Sequence, residues 1–213
     1  TSSKNGLDHV DVEDIQRKMQ EAMNSWDDKL LNALHTSMGE EKSNALYNKF
    51  APFLPAAYRE DFSPNTAVLD IERLNNLADN GEITTHLYHQ VGQEKGNYFF
   101  KVYGSRTTLV LSDVLPILEC MGLRVLEARP YELDSHSDQN TWVVEFAISV
   151  DQGVNLDQKA QREAFQDAFN QVFNRRVEND RFNALVLDAS LTWRQVTMLR
   201  AVTKYLTQLQ VPF

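Results

Sequence analysis

Two histidines and one cysteine are the residues of this sequence that come closest to metal or nucleophile chemistry. His86 and His89 lie in a stretch typical of a strand, where residues three apart point to opposite faces, so we expect surface histidines that do not share a metal ion. Cys120 is the only cysteine, which rules out a zinc site with two thiolates. It follows Leu118 in an apolar stretch, so we expect a small core residue rather than a nucleophile.

Patterns for phosphate binding and for acid–base catalysis are also missing from the sequence. A dinucleotide site needs closely spaced glycines that let the backbone approach a pyrophosphate. The eight glycines lie at positions 6, 39, 81, 92, 96, 104, 122 and 153, and no two form a G-x-G pattern. The carboxylate pairs Asp27-Asp28, Glu40-Glu41 and Glu60-Asp61 lie in polar stretches typical of solvated charges. We therefore predict no catalytic, cofactor-binding or metal-binding residue in this chain.

One polar motif is less ordinary. Arg129-Pro130-Tyr131-Glu132 places a proline near the end of a predicted strand, which indicates an edge strand or a bulge. Arg129 and Tyr131 could there hold a carboxylate or a neighbouring chain. The alternative is a polar edge whose only role is to discourage aggregation.

Composition excludes several classes of protein. The 213 residues carry a net charge of −9, which argues against nucleic acid and anionic membranes as partners and is typical of a solvated acidic surface. No apolar run approaches the roughly 20 residues of a membrane span. A single cysteine fits a reducing compartment, so we expect a cytoplasmic protein. The first residue is Thr1 rather than Met, as expected for a piece of a longer protein.

The first third of the chain predicts helices. Apolar residues three or four apart form one stripe from about Asp11 to Met38, and Gly39 is expected to end that helix. A second helix is predicted over Glu40–Phe50. Ser63-Pro64 is a typical helix start, because serine caps the backbone and proline is tolerated in the first turn. We expect this third helix to continue to Gly81.

The middle of the chain predicts a sheet with one crossover helix. Strands are predicted at 83–91, 98–103, 123–133 and 142–150. The helix at 113–121 makes a crossover between the second and third strands, which should be right-handed and leaves the fourth strand free to return between them. The result is an α+β fold with a four-stranded antiparallel, ferredoxin-like sheet in the order 83–91, 98–103, 142–150, 123–133, flanked by N- and C-terminal helices.

The ends of the crossover helix are also predicted. Ser112 or Asp113 is expected to cap its start. If Asp113 is the cap, Pro116 lies in the first turn, where a proline costs little. Gly122 is expected to close it in a left-handed conformation.

The last third is helical again. One apolar stripe spans 160–173 and a second spans 182–189. Thr192 is expected to cap a last helix, whose apolar residues are Val196, Leu199, Leu206 and Leu209. We expect three parts in all: an N-terminal helical segment (1–62), an α+β domain (63–155) and a C-terminal helical segment (156–213).

Several long stretches are collinear with one family. Two stretches, Tyr98–Tyr103 and Leu109–Tyr131, with Leu111–Val125 in particular, resemble the third ACT-type module in the long N-terminal region of the large bacterial NAD-specific glutamate dehydrogenases. Pro55–Pro64 resembles the family's lead-in to that module. Asp180–Leu187 and Leu191–Ala201 resemble the helices that follow it, so that the resemblance covers about residues 10–213.

The resemblance implies a parent enzyme that converts L-glutamate to 2-oxoglutarate and reduces NAD, and that assembles as a homo-oligomer. The catalytic lysine motif and the nucleotide-binding glycines of the family have no counterpart here, so no catalytic residue is carried over. ACT modules bind amino acids at a turn after the first strand and at module interfaces. This makes Gly104 and Ser105, with Arg129 and Tyr131, the candidate ligand or interface residues, and an amino acid the candidate effector.

Three functions are consistent with this sequence. The first is a regulatory or scaffolding segment of a glutamate dehydrogenase. The second is a free-standing amino-acid sensor, and the third is a purely structural oligomerisation domain. Only the first requires a parent chain several times longer, with a dinucleotide-binding fold. In each case we expect the strand at 123–133 to form a sheet edge that associates with another sheet or chain.

Overall fold

The computed structural model describes residues 12–77, 82–90, 92, 94, 96–105, 111–133, 140–151 and 153–209, with side chains described from residue 25 onward. The chain divides into two compact units, with the boundary between Glu72 and Arg73. The elements are α1 (Val12–Met38), α2 (Glu40–Phe50), a 3-10 turn (Ala51–Phe53), α3 (Ala56–Asp61), α4 (Pro64–Asn75), β1 (Thr84–Tyr88), β2 (Asn97–Gly104), α5 (Leu111–Cys120), β3 (Arg124–Leu133), β4 (Thr141–Ser149), α6 (Lys159–Phe173), a second 3-10 turn (Arg181–Ala184), α7 (Leu185–Asp188) and α8 (Trp193–Gln208).

The helices of the first unit follow the predicted stripes closely. Leu30 and Leu34 of α1 are fully buried, and Gly39 separates α1 from α2 with a φ of +80°. The helix start at Ser63-Pro64 is confirmed, since the backbone N–H of Thr66 donates to Ser63 Oγ over 3.3 Å. This helix ends at Asn75, earlier than predicted, and the expected stop at Gly81 lies outside the described residues.

Side-chain hydrogen bonds fix the turns of the first unit. Arg59 of α3 donates to the backbone oxygens of Ala51 and Leu54 and to Asp27 Oδ2 of α1, the last over 2.7 Å. Tyr58 is fully buried, and its hydroxyl donates to Asp70 over 2.6 Å. The short helix α3 was not predicted, because its six residues are held by these tertiary bonds rather than by an apolar period of their own.

The second unit contains the predicted sheet. Its four strands pair antiparallel in the order β1-β2-β4-β3, which confirms the predicted order and places β1 and β3 at the edges. The strand predicted at 83–91 is shorter than expected and spans Thr84–Tyr88. A bulge between Val125 and Glu127 interrupts the pairing of β3 with β4.

Helices α5 and α6 pack on one face of this sheet. Phe100 of β2 makes edge-on ring contacts with Phe165 and Phe169 of α6, at centroid distances of 5.1 and 4.9 Å. Aliphatic residues of β4 and α5, such as Val144 and Leu118, complete this core. Apolar residues at every second strand position and every third or fourth helix position thus build one core, as the sequence periods require.

The crossover helix α5 starts earlier than predicted. It begins at Leu111, so that Ser112 and Asp113 lie in its first turn and neither precedes it as the cap. Pro116 consequently lies inside the helix, where its ring nitrogen cannot donate a backbone hydrogen bond. The predicted end is confirmed. Gly122 has a φ of +83°, and the N–H groups of Gly122 and Leu123 donate to the carbonyls of Glu119 and Leu118 at 3.0 Å, which is a Schellman motif.

Candidate functional site

A row of polar residues crosses the sheet on the face opposite α5 and α6. His86 of β1 pairs with Lys101 of β2, Lys101 pairs with Glu145 of β4, and Glu145 pairs with Arg129 of β3. We call these four residues the polar row. Directly opposed residues of neighbouring strands have Cβ atoms about 5 Å apart, so adjacent members of the row are within reach of one another.

The centre of the polar row is an ion pair removed from water. Lys101 is fully buried and Glu145 is only 4% exposed. Lys101 Nζ lies 3.9 Å from Glu145 Oε1, the Tyr88 hydroxyl donates a short hydrogen bond to that same oxygen, and the ammonium lies 5.9 Å from the centre of the Tyr88 ring. Opposite charges and a phenol thereby offset the cost of burying two charges.

Arg129 forms the accessible end of the row. Its guanidinium binds both carboxylate oxygens of Glu127 at 2.7 and 2.9 Å, and its side chain is 43% exposed. Tyr131 lies two residues further along β3 on the same face, but is only 3% exposed and lies opposite Val143. Of these two predicted residues, Arg129 is therefore the one that an anionic group could reach from solvent.

Gly104 and Ser105 lie elsewhere on the sheet. Gly104 is the last residue of β2 and lies opposite Trp142, whose ring would be 2.1 Å from a Cβ atom placed on this glycine. Ser105 follows it and is 9% exposed. Residues 106–110, which follow Ser105 in the chain, lie outside the described residues. The four predicted residues thus do not form one cluster: Arg129 and Tyr131 share a face of β3, while Gly104 gives room to an indole ring.

Sequence reasoning missed Lys101 and Glu145, although a signal was present. Each is the single charged residue in an otherwise apolar strand, within Tyr98–Tyr103 and Trp142–Ile148. A lone charge in a strand that is buried on both faces requires a partner, and the strand order supplies it.

Tyr98 is a second buried polar group, near the end of the sheet where β2 begins. Burial raises the pKa of its hydroxyl above the ordinary value of 10.0, and the nearby carboxylate of Asp157 adds to the rise, while backbone hydrogen bonds from Leu156 and Asp157 act in the opposite direction. A cavity of about 400 Å³ adjoins the ring and is lined in part by Val150 and Asn155. The group is therefore a neutral hydrogen-bonding phenol at neutral pH.

The residues considered for metal or nucleophile chemistry lie apart. His86 stacks on Tyr88 at a centroid distance of 5.3 Å, whereas His89 lies beyond the end of β1 and is exposed. Cys120, predicted as a core residue, is only half-buried at the end of α5. Among the described side chains, no group of three or more His, Cys, Asp or Glu could hold a metal ion. The helices that the structure describes include none with both the length and the apolar character of a membrane span.

Comparison with known families identifies the modules of the chain. Residues 82–161 match the ACT3 domain of glutamate dehydrogenase, residues 33–77 match its helical motif 2, and residues 177–213 match its helical motif 3. This chain carries the ACT3 domain and two helical motifs of the glutamate dehydrogenase family. The four-stranded sheet is accordingly the ACT3 domain, which confirms the resemblance seen in the sequence.

Curated relatives agree with the family assignment. The chain is 36% identical over 200 residues to an NAD-specific glutamate dehydrogenase of Halomonas elongata, covering 94% of this chain and 12% of the relative. It is 36% identical over 204 residues to the enzyme of the same name from Pseudomonas aeruginosa, and 32% identical over 204 residues to that of Mycobacterium tuberculosis. The second comparison covers 96% of this chain and 13% of the relative, and the third covers 93% and 12%. The chain thus spans only 12–13% of the length of these relatives.

Proposed function

We propose that this chain is a non-catalytic regulatory or scaffolding segment of an NAD-specific glutamate dehydrogenase. One observation carries the proposal: the ACT3 domain and two flanking helical motifs are collinear with such enzymes over 93–96% of the chain, yet span only 12–13% of the relatives. The whole protein would oxidise L-glutamate to 2-oxoglutarate and ammonium, with NAD as the oxidant bound outside this segment.

The same proposal includes the organisation and setting of the segment. We divide it into a helical segment (1–62), an ACT-like domain (63–155) and a second helical segment (156–213). Its partners are the remainder of the parent chain and further copies of it in a cytoplasmic homo-oligomer. The single cysteine, which offers no intramolecular disulfide, supports a reducing setting.

Activity measurements test the non-catalytic role directly. Purified chain of 213 residues, mixed with L-glutamate and NAD, should form no NADH, whereas the full-length parent should form it. NADH formation by the chain alone would overturn the proposal. A full-length parent without glutamate-dependent NADH formation would also overturn it, because the segment would then belong to a different kind of protein.

Binding of an amino-acid effector is a second candidate function, favoured by the polar row. Carboxylate and cationic side chains alternate across neighbouring strands, and Arg129 presents a planar, partly exposed guanidinium suited to a carboxylate. An effector carboxylate would have to displace Glu127 from that guanidinium.

Calorimetry of the chain against the twenty amino acids tests the effector. Binding should be lost in Arg129→Ala and retained in Arg124→Ala, a control on the same strand that lies opposite Ser149 rather than Glu145. Equal loss of amino-acid binding in both variants would mean that binding depends on the net charge of the chain rather than on the polar row. Absence of heat with every amino acid would reject the effector and leave the scaffolding role in place.

A further inference from the structure

A second row of residues crosses the sheet beside the polar row. Tyr88 of β1 pairs with Phe99 of β2, Phe99 pairs with Ala147 of β4, and Ala147 pairs with Glu127 of β3. Each of them is two residues from a member of the polar row, so all four lie on the same face, opposite α5 and α6. Tyr88, Phe99 and Ala147 are half-buried and Glu127 is exposed. We call these four residues the open row, since solvent reaches each of them.

The open row has a low point between an aromatic side and a charged side. On the aromatic side, the rings of Tyr88 and Phe99 stack at a centroid distance of 5.4 Å. On the charged side, Glu127 binds the guanidinium of Arg129, and their side chains are 52% and 43% exposed. Ala147 lies between the two sides and has only a methyl group. Neighbouring strands lie about 4.8 Å apart, so the Phe99 ring and the ion pair are separated by roughly 10 Å of sheet.

The ion pair on the charged side offers both halves of a site for a zwitterion. A guanidinium binds a carboxylate through two parallel hydrogen bonds, and a carboxylate accepts hydrogen bonds from an ammonium group. An α-amino acid carries both complementary groups, so it can replace the internal bonds between Arg129 and Glu127 with bonds to each of them. A plain carboxylic acid would take Arg129 from Glu127 and give that carboxylate nothing in exchange, and a plain amine would do the converse.

The aromatic side favours one kind of side chain. An amino acid held by Arg129 and Glu127 has room for its side chain above Ala147, because the methyl group there is short. A ring placed above Ala147 would contact the half-buried ring of Phe99, and contacts between two aromatic rings stabilise a complex beyond the apolar area that they bury.

We infer that Arg129 and the open row bind an α-amino acid with an aromatic side chain. Arg129 binds its carboxylate, Glu127 binds its ammonium group, and Phe99 contacts its ring. The inference rests on the proposed effector function, whose site at Arg129 it shares. It adds the chemical class of the effector and gives Glu127 a binding role.

Calorimetry of the 213-residue chain with related ligands tests the class of the effector. L-Phenylalanine should bind about tenfold more tightly than phenylpyruvate, which lacks the ammonium group, and than phenethylamine, which lacks the carboxylate. It should bind about fivefold more tightly than L-leucine, which has no ring to contact Phe99. Equal binding of any of these three ligands would overturn the inference and leave an effector site at Arg129 in place. Absence of binding by every amino acid would reject that effector site as well, whereas the role in a dehydrogenase is tested separately by NADH formation.

A substitution of Glu127 separates a binding role from competition for Arg129. Glu127→Gln keeps the size of the side chain and removes its charge, so it should weaken the binding of L-phenylalanine about tenfold. Glu132→Gln is the matched control and should leave binding unchanged, because Glu132 is an exposed carboxylate of the same strand that lies opposite Trp142 of the core. Unchanged or tighter binding of L-phenylalanine in Glu127→Gln would show that Glu127 only competes for Arg129, and would overturn the inference.

A substitution of Phe99 tests the contact with the ring. Phe99→Leu should remove the preference for L-phenylalanine over L-leucine while L-leucine binds as before. A preference that survives in Phe99→Leu would overturn the inference. If either variant fails to fold, as thermal melting would show, the comparison of ligands on the natural chain decides.

Discussion

At the scale of single residues, Gly104 shows that a glycine can be required for space rather than for backbone conformation. A Cβ atom at this position would lie 2.1 Å from Cζ2 and 2.5 Å from Cε2 of Trp142, which is itself 3% exposed and held in the core. Gly104→Ala should therefore destabilise the chain by about 1–3 kcal/mol, because the indole has to move within a packed interior. Urea unfolding monitored by circular dichroism measures the change.

A double-mutant cycle assigns that loss to the indole. Trp142→Phe removes the fused ring whose atoms would clash, so Gly104→Ala should cost less in the Trp142→Phe background than in the natural chain. Additive costs would show that the loss comes from backbone strain at the strand end, and the spatial explanation would then be wrong.

Gly122, in contrast to Gly104, is required for its backbone conformation rather than for space. A Cβ atom here would meet only Ala184 at an ordinary 3.5 Å, but the φ of +83° is one that side chains disfavour. Gly122→Ala should cost about 1–2 kcal/mol through that strain, and Gly122→Asn should cost less, because asparagine tolerates the left-handed region. Thermal melting of the three proteins gives the ranking. Equal costs for alanine and asparagine would refute backbone strain as the cause.

At the scale of elements, Arg200 holds α8 against the second 3-10 turn. Its guanidinium binds both carboxylate oxygens of Asp180, at 2.6 and 2.9 Å, and Asn183 Oδ1 at 2.8 Å. These three residues come from the two C-terminal stretches that resemble the dehydrogenases, Asp180–Leu187 and Leu191–Ala201. One buried contact thus joins these two stretches and sets the position of α8.

Removing Asp180 tests this contact. Asp180→Ala leaves a buried guanidinium without its bidentate partner and should lower the free energy of unfolding by about 2–3 kcal/mol. Glu178→Ala is the control, since its carboxylate is 58% exposed, lies 3.8 Å from the same guanidinium, and should contribute less than about 1 kcal/mol. Chemical unfolding of both variants provides the comparison. Similar losses would mean that the contact acts through net charge rather than through its geometry.

The hydrophobic periodicity of the sequence predicted which helices and strands exist better than it predicted their first and last residues. The predicted helix over Glu40–Phe50 is confirmed at both limits, and the capping role of Thr192 is confirmed by a box with Gln195. The start of α5 was wrong because Ser112 and Asp113 are good caps in isolation, whereas the helix already includes both of them. Leu199, one of the apolar residues from which the last helix was predicted, is 42% exposed, whereas Arg200 is buried through its pairing with Asp180.

At the scale of the whole molecule, the strand order was predictable and the polar row was not. A single right-handed crossover leaves few places for the last strand, so the order followed from the element sequence. The polar row depends on the register of the strands, that is, on which residues of neighbouring strands lie opposite each other. The bulge between Val125 and Glu127 shifts the pairing of β3, whereas the sequence indicated a bulge or an edge strand only at Pro130. Arg129 could be named from its motif, but its place beside Glu145 required the register.

The stability of the whole chain should fall at high pH partly through Tyr98. Burial and Asp157 raise the pKa of Tyr98 in the folded chain above the 10.0 of an unfolded tyrosine. The unfolded chain therefore loses this proton first as the pH rises, so the contribution is complete below pH 10.0 and declines above it until the folded group also ionises. One proton changes the free energy of unfolding by at most about 1.4 kcal/mol per pH unit. Tyr98→Phe should reduce the slope of unfolding free energy above pH 10.0, although it costs stability at neutral pH. Denaturant titrations at each pH measure the slopes, and identical slopes in the natural chain and Tyr98→Phe would show that the phenol does not titrate differently on folding.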